Sequence, residues 1–386
     1  MKTIFTTLTL VCLVAGAQAR QAPAQPSPSQ LATFKTDGRL TWAAFSPDGK
    51  ILAANYGEKT SVRLLDARTG ELRAKLEGQD DPLGANLGSS FVSRITFGPA
   101  TSTFSPDGAL LAVTAYRANE VRVWDVRAGK LSLTLRGLTN VQDVSFSRDG
   151  RLLAIAAGDQ GLRLVDVGKG ELLTTRWDVR DLRSVNGVWF HEDGKTLALF
   201  TENTDKPKRS LYLIDIETGR VKTRAGDGRG KDNYIAYVGE GLEEFVTVAE
   251  GGELSLWETA TGRLKRGLRP EPKAKGFPPV DFGSGARTFA TLDPEGKVSV
   301  WDFERGQKLT TLPTTEKVEL FAYLTGTPSF IVTGTKQGLR LWDAKTFEPR
   351  GELPGARPPL AFSRDGRTAV TAGAGDTAVL WDIPVF

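Results

Sequence analysis

Cysteine and histidine are almost absent from this chain. Its 386 residues contain one cysteine, Cys12, and one histidine, His191. Cys12 lies in an N-terminal apolar run that has the features of a cleaved signal peptide, so the mature protein is expected to contain no disulfide and no thiolate nucleophile or metal ligand. With a single histidine left, a zinc or copper site is not expected either. The sequence therefore predicts no metal and no cofactor.

Local signatures of catalysis are also missing. The chain contains no G-x-S-x-G elbow, no Walker loop, no Rossmann fingerprint and no alternating-acid calcium loop. His191 stands in a predicted turn with no candidate nucleophile nearby, so we interpret it as a solvated turn residue. No catalytic residue is predicted, and the chain is predicted not to be an enzyme.

An excess of one charge is the third absence. The sequence has 50 basic and 46 acidic residues, which gives a formal net charge of +4. Nucleic-acid binders usually concentrate basic residues on one face, and this balance is nearly neutral for a protein of this size. A nucleic-acid partner is therefore not expected.

The first thirty residues predict export. Met1 and Lys2 precede an apolar run from Ile4 to Gly16, and Ala17-Gln18-Ala19 supplies small residues for cleavage after Ala19, or alternatively after Ala17. The run is shorter than the roughly 20 residues that span a bilayer, so no integral membrane segment is expected after cleavage. We predict a signal peptide over 1–19, a disordered tether over the Pro/Gln/Ser-rich residues 20–30, and a periplasmic or secreted mature protein.

The rest of the chain is a repeat. Eight β-type runs end in an aromatic or aliphatic residue followed by an acid, with spacings of 59, 41, 49, 43, 44, 41 and 39 residues: Leu65-Asp66, Trp124-Asp125, Val165-Asp166, Ile214-Asp215, Trp257-Glu258, Trp301-Asp302, Trp342-Asp343 and Trp381-Asp382. A period near 40 that contains four strands is typical of a β-propeller blade.

Turn residues mark the strand ends within each copy. Five copies have a first turn of the type Ser-Pro-Asp-Gly, and a phenylalanine precedes each of them, which we interpret as a wedge between neighbouring blades. A third turn recurs as an acid with glycine four residues later, which suits the left-handed step of a hairpin, although Phe347 replaces the glycine in the seventh copy. The tryptophans of the repeat endings, and also Trp42, Trp177 and Trp189, are predicted to lie in strands and to pack in the core.

With runs such as VRVWDVRAGKL, VSVWDFERGQKL and LRLWDAKTF, the chain resembles the WD-repeat β-propeller family over residues 31–386. The Gly-His dipeptide of that family, whose histidine joins a buried hydrogen-bond tetrad with the tryptophan, is absent, so those tetrads are not assumed. The resemblance implies an all-β fold with eight blades of four antiparallel strands. Seven blades is the alternative, because copies five to seven lack the Asp-Gly first turn.

Ring closure is predicted from the two ends of the repeat. The last copy ends at Phe386 without a fourth strand, whereas Leu31–Lys35 resembles the fourth strands of other copies. Docking this segment beside Ala378–Asp382 would complete the eighth blade, with Leu31 and Phe34 buried. Ladder hydrogen bonds of about 1 kcal/mol each, together with this burial, should exceed a loop-closure cost on the order of 5 kcal/mol.

The fold and the missing chemistry together predict an exported, non-catalytic scaffold that binds a protein or peptide partner and is itself a monomer. Two alternatives remain open: a propeller enzyme of the quinoprotein or lactonase-like type, and a structural subunit of an envelope complex. The second is disfavoured because the fourth strands carry basic residues, which protect strand edges from pairing.

Partner contacts are predicted where the connections vary in length, namely the second-to-third turns and the links between blades. The segment from Thr201 to Ser210 is among the longest of these and is predicted to be an irregular loop. The candidate residues combine aromatic, acidic and basic side chains: Tyr56, Asp80, Asp81, Tyr116, Arg117, Lys206, Lys208 and Arg209. This mixed charge favours a protein or peptide over a uniformly anionic polymer.

Overall fold

The computed structural model describes residues 27–56, 62–76, 102–114, 119–158, 160–173, 177, 185–191, 193–203, 208–225, 234–238, 243–249, 251–270, 279–283, 287–324 and 329–384. Within these ranges the chain forms 32 β-strands, which are arranged as eight four-stranded sheets. The sheets are called blades 1 to 8 in chain order.

The strands of the first four blades are as follows. Blade 1 contains β2 (Leu40–Phe45), β3 (Ile51–Tyr56), β4 (Val62–Asp66) and β5 (Leu72–Leu76). Blade 2 contains β6 (Ser102–Phe104), β7 (Leu110–Val113), β8 (Val121–Asp125) and β9 (Lys130–Leu135). Blade 3 contains β10 (Val141–Phe146), β11 (Leu152–Ala157), β12 (Leu162–Asp166) and β13 (Glu171–Leu173). Blade 4 contains β14 (Val185–Phe190), β15 (Thr196–Asn203), β16 (Lys208–Asp215) and β17 (Val221–Ala225).

The remaining four blades follow the same pattern. Blade 5 contains β18 (Tyr234–Val238), β19 (Glu244–Val248), β20 (Leu254–Glu258) and β21 (Arg263–Leu268). Blade 6 contains β22 (Val280–Phe282), β23 (Thr288–Leu292), β24 (Val298–Asp302) and β25 (Gln307–Thr311). Blade 7 contains β26 (Leu320–Leu324), β27 (Phe330–Thr335), β28 (Gly338–Asp343) and β29 (Pro349–Pro354). Blade 8 contains β30 (Arg357–Phe362), β31 (Thr368–Ala372), β32 (Thr377–Asp382) and the N-terminal β1 (Ser29–Lys35).

Each blade is an antiparallel meander, and the blades form a ring. Strands pair in chain order within blades 1 to 7, and the first strands of neighbouring blades contact one another, as β10 does with β14 and β22 with β26. The first strands therefore line the central axis, and the fourth strands form the outer rim. The eight-bladed propeller is confirmed, and the seven-bladed alternative is wrong.

The N-terminal strand closes the ring as predicted. β1 pairs antiparallel with β32, and the register places Phe34 opposite Ala378. Ala32 and Phe34 pack against the apolar cluster that joins blade 8 to blade 1. The first strand of the chain, β1, and the last, β32, thus lie in one sheet, which removes the exposed edge of an open array.

The predicted burial of Leu31 is wrong. A bulge between Gln30 and Ala32 takes Leu31 out of register with β32, and its side chain is 40% exposed. The strand also begins at Ser29, two residues before the predicted start. Closure therefore depends on Ala32 and Phe34 rather than on Leu31.

Apolar clusters hold the blades together. Each of the eight junctions between neighbouring blades contains one cluster of buried side chains. The phenylalanines that precede the first turns pack in these clusters at the junction with the preceding blade: Phe45, Phe104, Phe146, Phe190 and Phe362. Their predicted role as wedges between blades is confirmed.

A tryptophan–threonine hydrogen bond recurs in the second half of the ring. In blades 5 to 8 the indole Nε1 donates to a threonine Oγ1 of the second strand at 2.9–3.0 Å: Trp257 to Thr247, Trp301 to Thr291, Trp342 to Thr333 and Trp381 to Thr371. In blade 2, Val113 occupies the position that the threonines hold beside Trp124. The indole N–H, which is buried in blades 7 and 8 and partly buried in blades 5 and 6, is thus satisfied without the family's histidine.

The prediction of core packing fails for Trp189 and needs correction for Trp177. The Trp189 side chain is 43% exposed, although it lies in β14. Its ring lies over Gly187, where a Cβ would be 2.5 Å from the indole, and meets Phe200 edge-to-face at 4.7 Å between centroids. Trp177 lies outside the strands, but it does pack against the cluster between blades 3 and 4.

Glycine in the third turns allows a left-handed backbone and also avoids a steric clash with the preceding blade. Gly129 has φ 61°, and a Cβ on it would lie 2.8 Å from the Cβ of Ala74 in the outer strand of the preceding blade. Phe347, which replaces this glycine in blade 7, adopts the same left-handed region with φ 62° and packs against the cluster between blades 6 and 7. Burial of its ring offsets the cost of that conformation, on the order of 1–2 kcal/mol.

Two carboxylates link the inner strands of neighbouring blades. Asp143 accepts the Val144 N–H at 2.9 Å and the Val188 N–H of the next blade at 3.0 Å. Asp281 accepts the Phe282 N–H at 2.9 Å and the Tyr323 N–H of the next blade at 2.7 Å. Burial raises the pKa of both groups to about 7, against the lowering effect of the two N–H donors. Asp281 is 7% exposed, whereas Asp143 keeps more of its surface accessible.

Candidate functional site

The ring has two unlike faces. The described first and third turns, such as 46–49 and 66–70, lie at one end of the strands and form the regular face. The second turns and the links between blades, such as 157–161 and 36–39, lie at the other end and form the variable face. This division follows from the antiparallel meander of each blade.

The polar groups of the regular face hold its own turns. In four first turns a serine Oγ donates to the aspartate two residues later at 2.5–2.6 Å: Ser46 to Asp48, Ser105 to Asp107, Ser147 to Asp149 and Ser363 to Asp365. This serine hydrogen bond lowers the pKa of each carboxyl. The carboxylates are therefore charged at neutral pH and already occupied, which leaves them little capacity for a ligand.

His191 also belongs to this face and to a turn. Its Nδ1 accepts the Asp193 N–H at 3.0 Å and lies 3.2 Å from the Asp193 Oδ1. Asp193 in turn accepts the N–H groups of Lys195 and Thr196. The imidazole thus takes part in the turn at the position where the other first turns have serine.

On the variable face, Tyr56 lies beneath an arginine. The ring of Tyr56 is 6% exposed, and the Arg63 guanidinium lies 3.9 Å from its centroid. Arg63 also donates to the Asp37 carboxylate at 2.7 Å, in the link between closing strand β1 and blade 1. Burial raises the pKa of the Tyr56 hydroxyl, and the charge of Arg63 acts in the opposite direction. The phenol is therefore part of the closure of the ring, with Asp37 as the exposed member of the group.

An arginine recurs at one strand position in four blades. Arg63, Arg122, Arg163 and Arg340 each stand two residues before the repeat-ending aromatic or aliphatic residue, in the third strand. Each is bonded to a polar group at or near the variable face: Asp37, Glu120, the Gln160 carbonyl and Glu352, respectively. In blades 1, 2 and 7 the partner is a carboxylate, so arginine–carboxylate pairs recur on or near the variable face.

Blade 3 shows that parts of this face are firmly held. Gln160, in the second turn, accepts the Thr139 N–H at 3.2 Å and donates to the Gly137 carbonyl at 3.0 Å. Asn140, with φ 53°, accepts a hydrogen bond from Gln142 at 2.6 Å. The turn and the link from blade 2 are thereby joined by side-chain amides.

The variable face also contains a cavity of about 120 Å³ in blade 7. It lies between the second turn of blade 7 and the link from blade 6, and we call it the blade 7 pocket. Its lining combines hydroxyls, charged groups and an apolar part: Thr314, Thr315, Glu316, Thr333, Thr335, Gln337, Gly338, Leu339, Arg340, Glu352, Leu353 and Pro354. All of these residues belong to the described part of the chain, so the geometry of the pocket can be compared with the chemistry of its lining.

Most of the predicted contact residues cannot be compared with this geometry. Asp80, Asp81, Tyr116, Arg117 and Lys206 lie outside the described residues. Their assignment to a partner surface stays a prediction.

Lys208 and Arg209 lie in a strand rather than in an irregular loop. They belong to β16, where the register places Lys208 opposite Asn203 and Arg209 opposite Glu202 of β15. The predicted loop from Thr201 to Ser210 is therefore largely a hairpin. Strands β15 and β16 are both eight residues long and continue their ladder beyond the blade.

Sequence reasoning missed the blade 7 pocket. Its second turn, Thr335-Lys336-Gln337-Gly338, is short, and the prediction selected long connections. The nearest sequence signal is the density of hydroxyl and acidic residues in Thr314-Thr315-Glu316, opposite that turn. Only the folding of blade 7 against the link from blade 6 brings these segments together.

Among the described residues, no group of three or more His, Cys, Asp and Glu side chains is placed to hold a metal ion. Within the same part of the chain, no helix is long and apolar enough to cross a membrane.

Comparison with known proteins identifies relatives of the repeat. Residues 111–181 match the model of the anaphase-promoting complex subunit 4 WD40 domain. The nuclear distribution protein PAC1 of Coccidioides posadasii is 29% identical over 175 residues, which cover 36% of this chain and 37% of that protein. The WD repeat-containing protein SL1-17 of Schistosoma mansoni is 30% identical over 143 residues, which cover 36% of this chain and 41% of that protein.

The chain thus spans about two fifths of the length of these curated relatives. A solved structure, that of the Dos1 propeller, superposes with a TM-score of 0.65 at 16% identity, and the match covers 93% of this chain and 96% of that one. At this identity the structural match supports the fold alone.

Proposed function

Because the chain is a WD-repeat β-propeller, we propose that it is a non-catalytic scaffold that binds a protein or peptide partner through its variable face. The observation that carries this proposal is the contrast between the two faces. The polar groups of the regular face are used within its turns, whereas the variable face holds the pocket and the repeated arginine–carboxylate groups. Irregular connections on a rigid scaffold are where binding residues are most often found.

The proposed mechanism is recognition without chemistry. Hydrogen bonds hold described parts of the variable face in place, such as the second turn of blade 3, so a partner would bind these parts with little ordering. Exposed members of ion pairs, such as Asp37 at blade 1 and Glu352 at blade 7, would select the charge pattern of the partner. Tyr116 and Arg117 belong to the residue types enriched at binding hot spots and are proposed to act there.

The test is affinity capture with the mature chain from an envelope fraction, followed by mass spectrometry and by direct binding of the purified partner. Tyr116→Ala and Arg117→Ala should each weaken that binding by about 2 kcal/mol or more if they are hot spots. The matched control is Glu304→Gln, an exposed carboxylate in a third turn of the regular face, which should bind as the wild type does. If partner binding is lost with Glu304→Gln and kept with the other two variants, the binding site lies on the regular face and the proposal is contradicted.

We propose, further, that the chain acts outside the cytoplasm, in the periplasm or as a secreted protein. The support is the N-terminal pattern of Lys2, the apolar run and Ala17-Gln18-Ala19, in residues that lie outside the described part of the chain. N-terminal sequencing of the mature protein should begin at Arg20, or at Gln18 for the alternative cleavage. Recovery of the intact N terminus in the cytoplasm would contradict export.

A further inference from the structure

We propose that the blade 7 pocket accepts a lysine or arginine side chain of the protein partner. This inference rests on the proposed function, because it names the chemistry that one part of the variable face would recognise. It follows from the shape, the charge and the hydrogen-bonding groups of the pocket, taken in turn below.

The pocket combines an apolar part with a polar rim. Leu339 and Leu353 are 3% and 0% exposed and contribute aliphatic wall, while Glu352 and Gln337 are exposed. Lysine and arginine side chains have the same division, since their methylene stems pack on apolar surface while the charged head stays in a polar environment. A cavity of about 120 Å³ is of the order needed for one such side chain rather than for a larger ligand.

The charges that line the pocket favour a cation. Glu316 and Glu352 are the acidic members and Arg340 is the basic one, which leaves one net negative charge. Arg340 donates to the Glu352 carboxylate, whereas Glu316 accepts from the neutral amide of Gln337. The charge of Glu316 is therefore hydrogen-bonded but not neutralised. Lys336, in the adjoining turn, does not line the cavity.

Further hydrogen-bond acceptors line the same space. The two carboxylates are joined by the hydroxyl oxygens of Thr314, Thr315 and Thr335. The Thr333 hydroxyl lies deeper, where it is 1% exposed and accepts the Trp342 indole N–H at 2.9 Å. An ammonium has three donors and a guanidinium five, and neither has an acceptor, so both match this lining.

An anionic side chain fits the pocket less well. It would meet two carboxylates, and the one cationic group, Arg340, is already paired. Placing like charges together across an interface is costly, so an acidic partner residue is disfavoured. An uncharged aliphatic side chain would match the leucines but leave the acceptors of the rim without donors.

The experiment uses the mature protein labelled with ¹⁵N at its tryptophan indoles, of which the sequence has eight. The Trp342 resonance, assigned by its loss in Trp342→Phe, reports on the pocket because this indole is bonded to Thr333. The probes are Nα-acetyl-lysine amide and Nα-acetyl-arginine amide, with the norleucine and glutamate amides as the uncharged and anionic comparisons. We expect saturable shifts of the Trp342 resonance with the two cationic probes at millimolar concentration, and binding about tenfold weaker or undetectable with the other two.

Variants separate charge from shape. Glu316→Gln keeps the side-chain volume and should weaken binding of the cationic probes about fivefold, whereas Glu304→Gln on the regular face should leave it unchanged. Unaltered positions of the other seven indole resonances would show that each variant is folded. Binding of the norleucine or glutamate amide as tight as that of the lysine amide would overturn the proposal, and so would a Trp342 resonance that none of the probes shifts. Neither result affects the capture experiment, which tests binding of a partner by the whole variable face. The proposed function is therefore tested independently of the pocket.

Discussion

The buried tryptophan–threonine hydrogen bond offers a sharp test of what stabilises the blades. Trp342 is 0% exposed and Thr333 is 1% exposed, and their Nε1–Oγ1 distance is 2.9 Å. Thr333→Val keeps the shape of the side chain and removes the acceptor, so the indole N–H would remain buried without a partner. A buried donor left unsatisfied costs about 1–3 kcal/mol, and we expect the free energy of unfolding to fall by this amount.

Blade 2 supplies the matched comparison. Val113 pairs in register with Arg122 as Thr333 does with Arg340, so the two sites have the same strand position and the same cross-strand neighbour. Val113→Thr should place a hydroxyl beside Trp124, in the position from which the threonines of blades 5 to 8 accept the indole N–H. The expected effect is a gain of up to about 1 kcal/mol, reduced by the cost of burying the hydroxyl.

The assay is urea unfolding followed by far-UV circular dichroism. Thr33→Val is a control on an exposed threonine of closing strand β1, and its unfolding free energy should stay within about 0.5 kcal/mol of that of the wild type. The reasoning is refuted if Thr333→Val is as silent as Thr33→Val. It is also refuted if combining Thr333→Val with Trp342→Phe costs the full sum of the two single changes, since a shared hydrogen bond can be lost only once.

Three further outcomes are expected. Gly129→Ala should lower the free energy of unfolding by about 2 kcal/mol or more, and by more than Gly137→Ala does. Both glycines have a left-handed φ, but only Gly129 has a close neighbour at its Cβ position. Equal melting temperatures of the two variants would contradict the steric argument. Because burial raises the pKa of Asp281 to about 7, above its ordinary value near 4, the folded state binds this proton more tightly and stability falls as pH rises through that window. The loss is about 4 kcal/mol at most, so Asp281→Asn should flatten the pH dependence of the unfolding midpoint between about pH 4 and 7, and an unchanged slope would contradict this. His191→Ala should move the unfolding free energy by no more than about 0.5 kcal/mol, and a hydrolytic activity abolished by it would overturn the non-catalytic proposal.

Repeat number and ring closure could be predicted because they depend on local signals that recur. Each blade ends in an aromatic or aliphatic residue and an acid, and turn residues separate its strands at regular distances. The fourth-strand character of the N-terminal segment was visible in the same way, and β1 pairs with β32 as this implied. Such signals depend on a few neighbouring residues, so they can be recognised without knowledge of the partner strands.

Predictions about individual side chains were less accurate, because burial depends on register and on the neighbouring blade. Leu31 was expected in the core, but a bulge takes it out of register with β32. Trp189 shares a strand with buried residues, yet its ring lies over Gly187 and remains 43% exposed. A register shift of one residue, or the space beside a glycine, can turn a side chain that its strand position predicts to be buried into an exposed one.

The sequence by itself determined the class of fold, the number of blades and the strand that closes the ring. Tertiary structure decided which polar groups serve the fold and which remain for a ligand. Ser46 and Asp48 satisfy each other within a turn, whereas Glu316 and Glu352 meet in one pocket although 36 positions separate them in the chain. The physical reason is the sequence distance over which each kind of interaction acts. Turn chemistry acts between residues a few positions apart, whereas this pocket forms only when the strands of blade 7 and the link from blade 6 fold together.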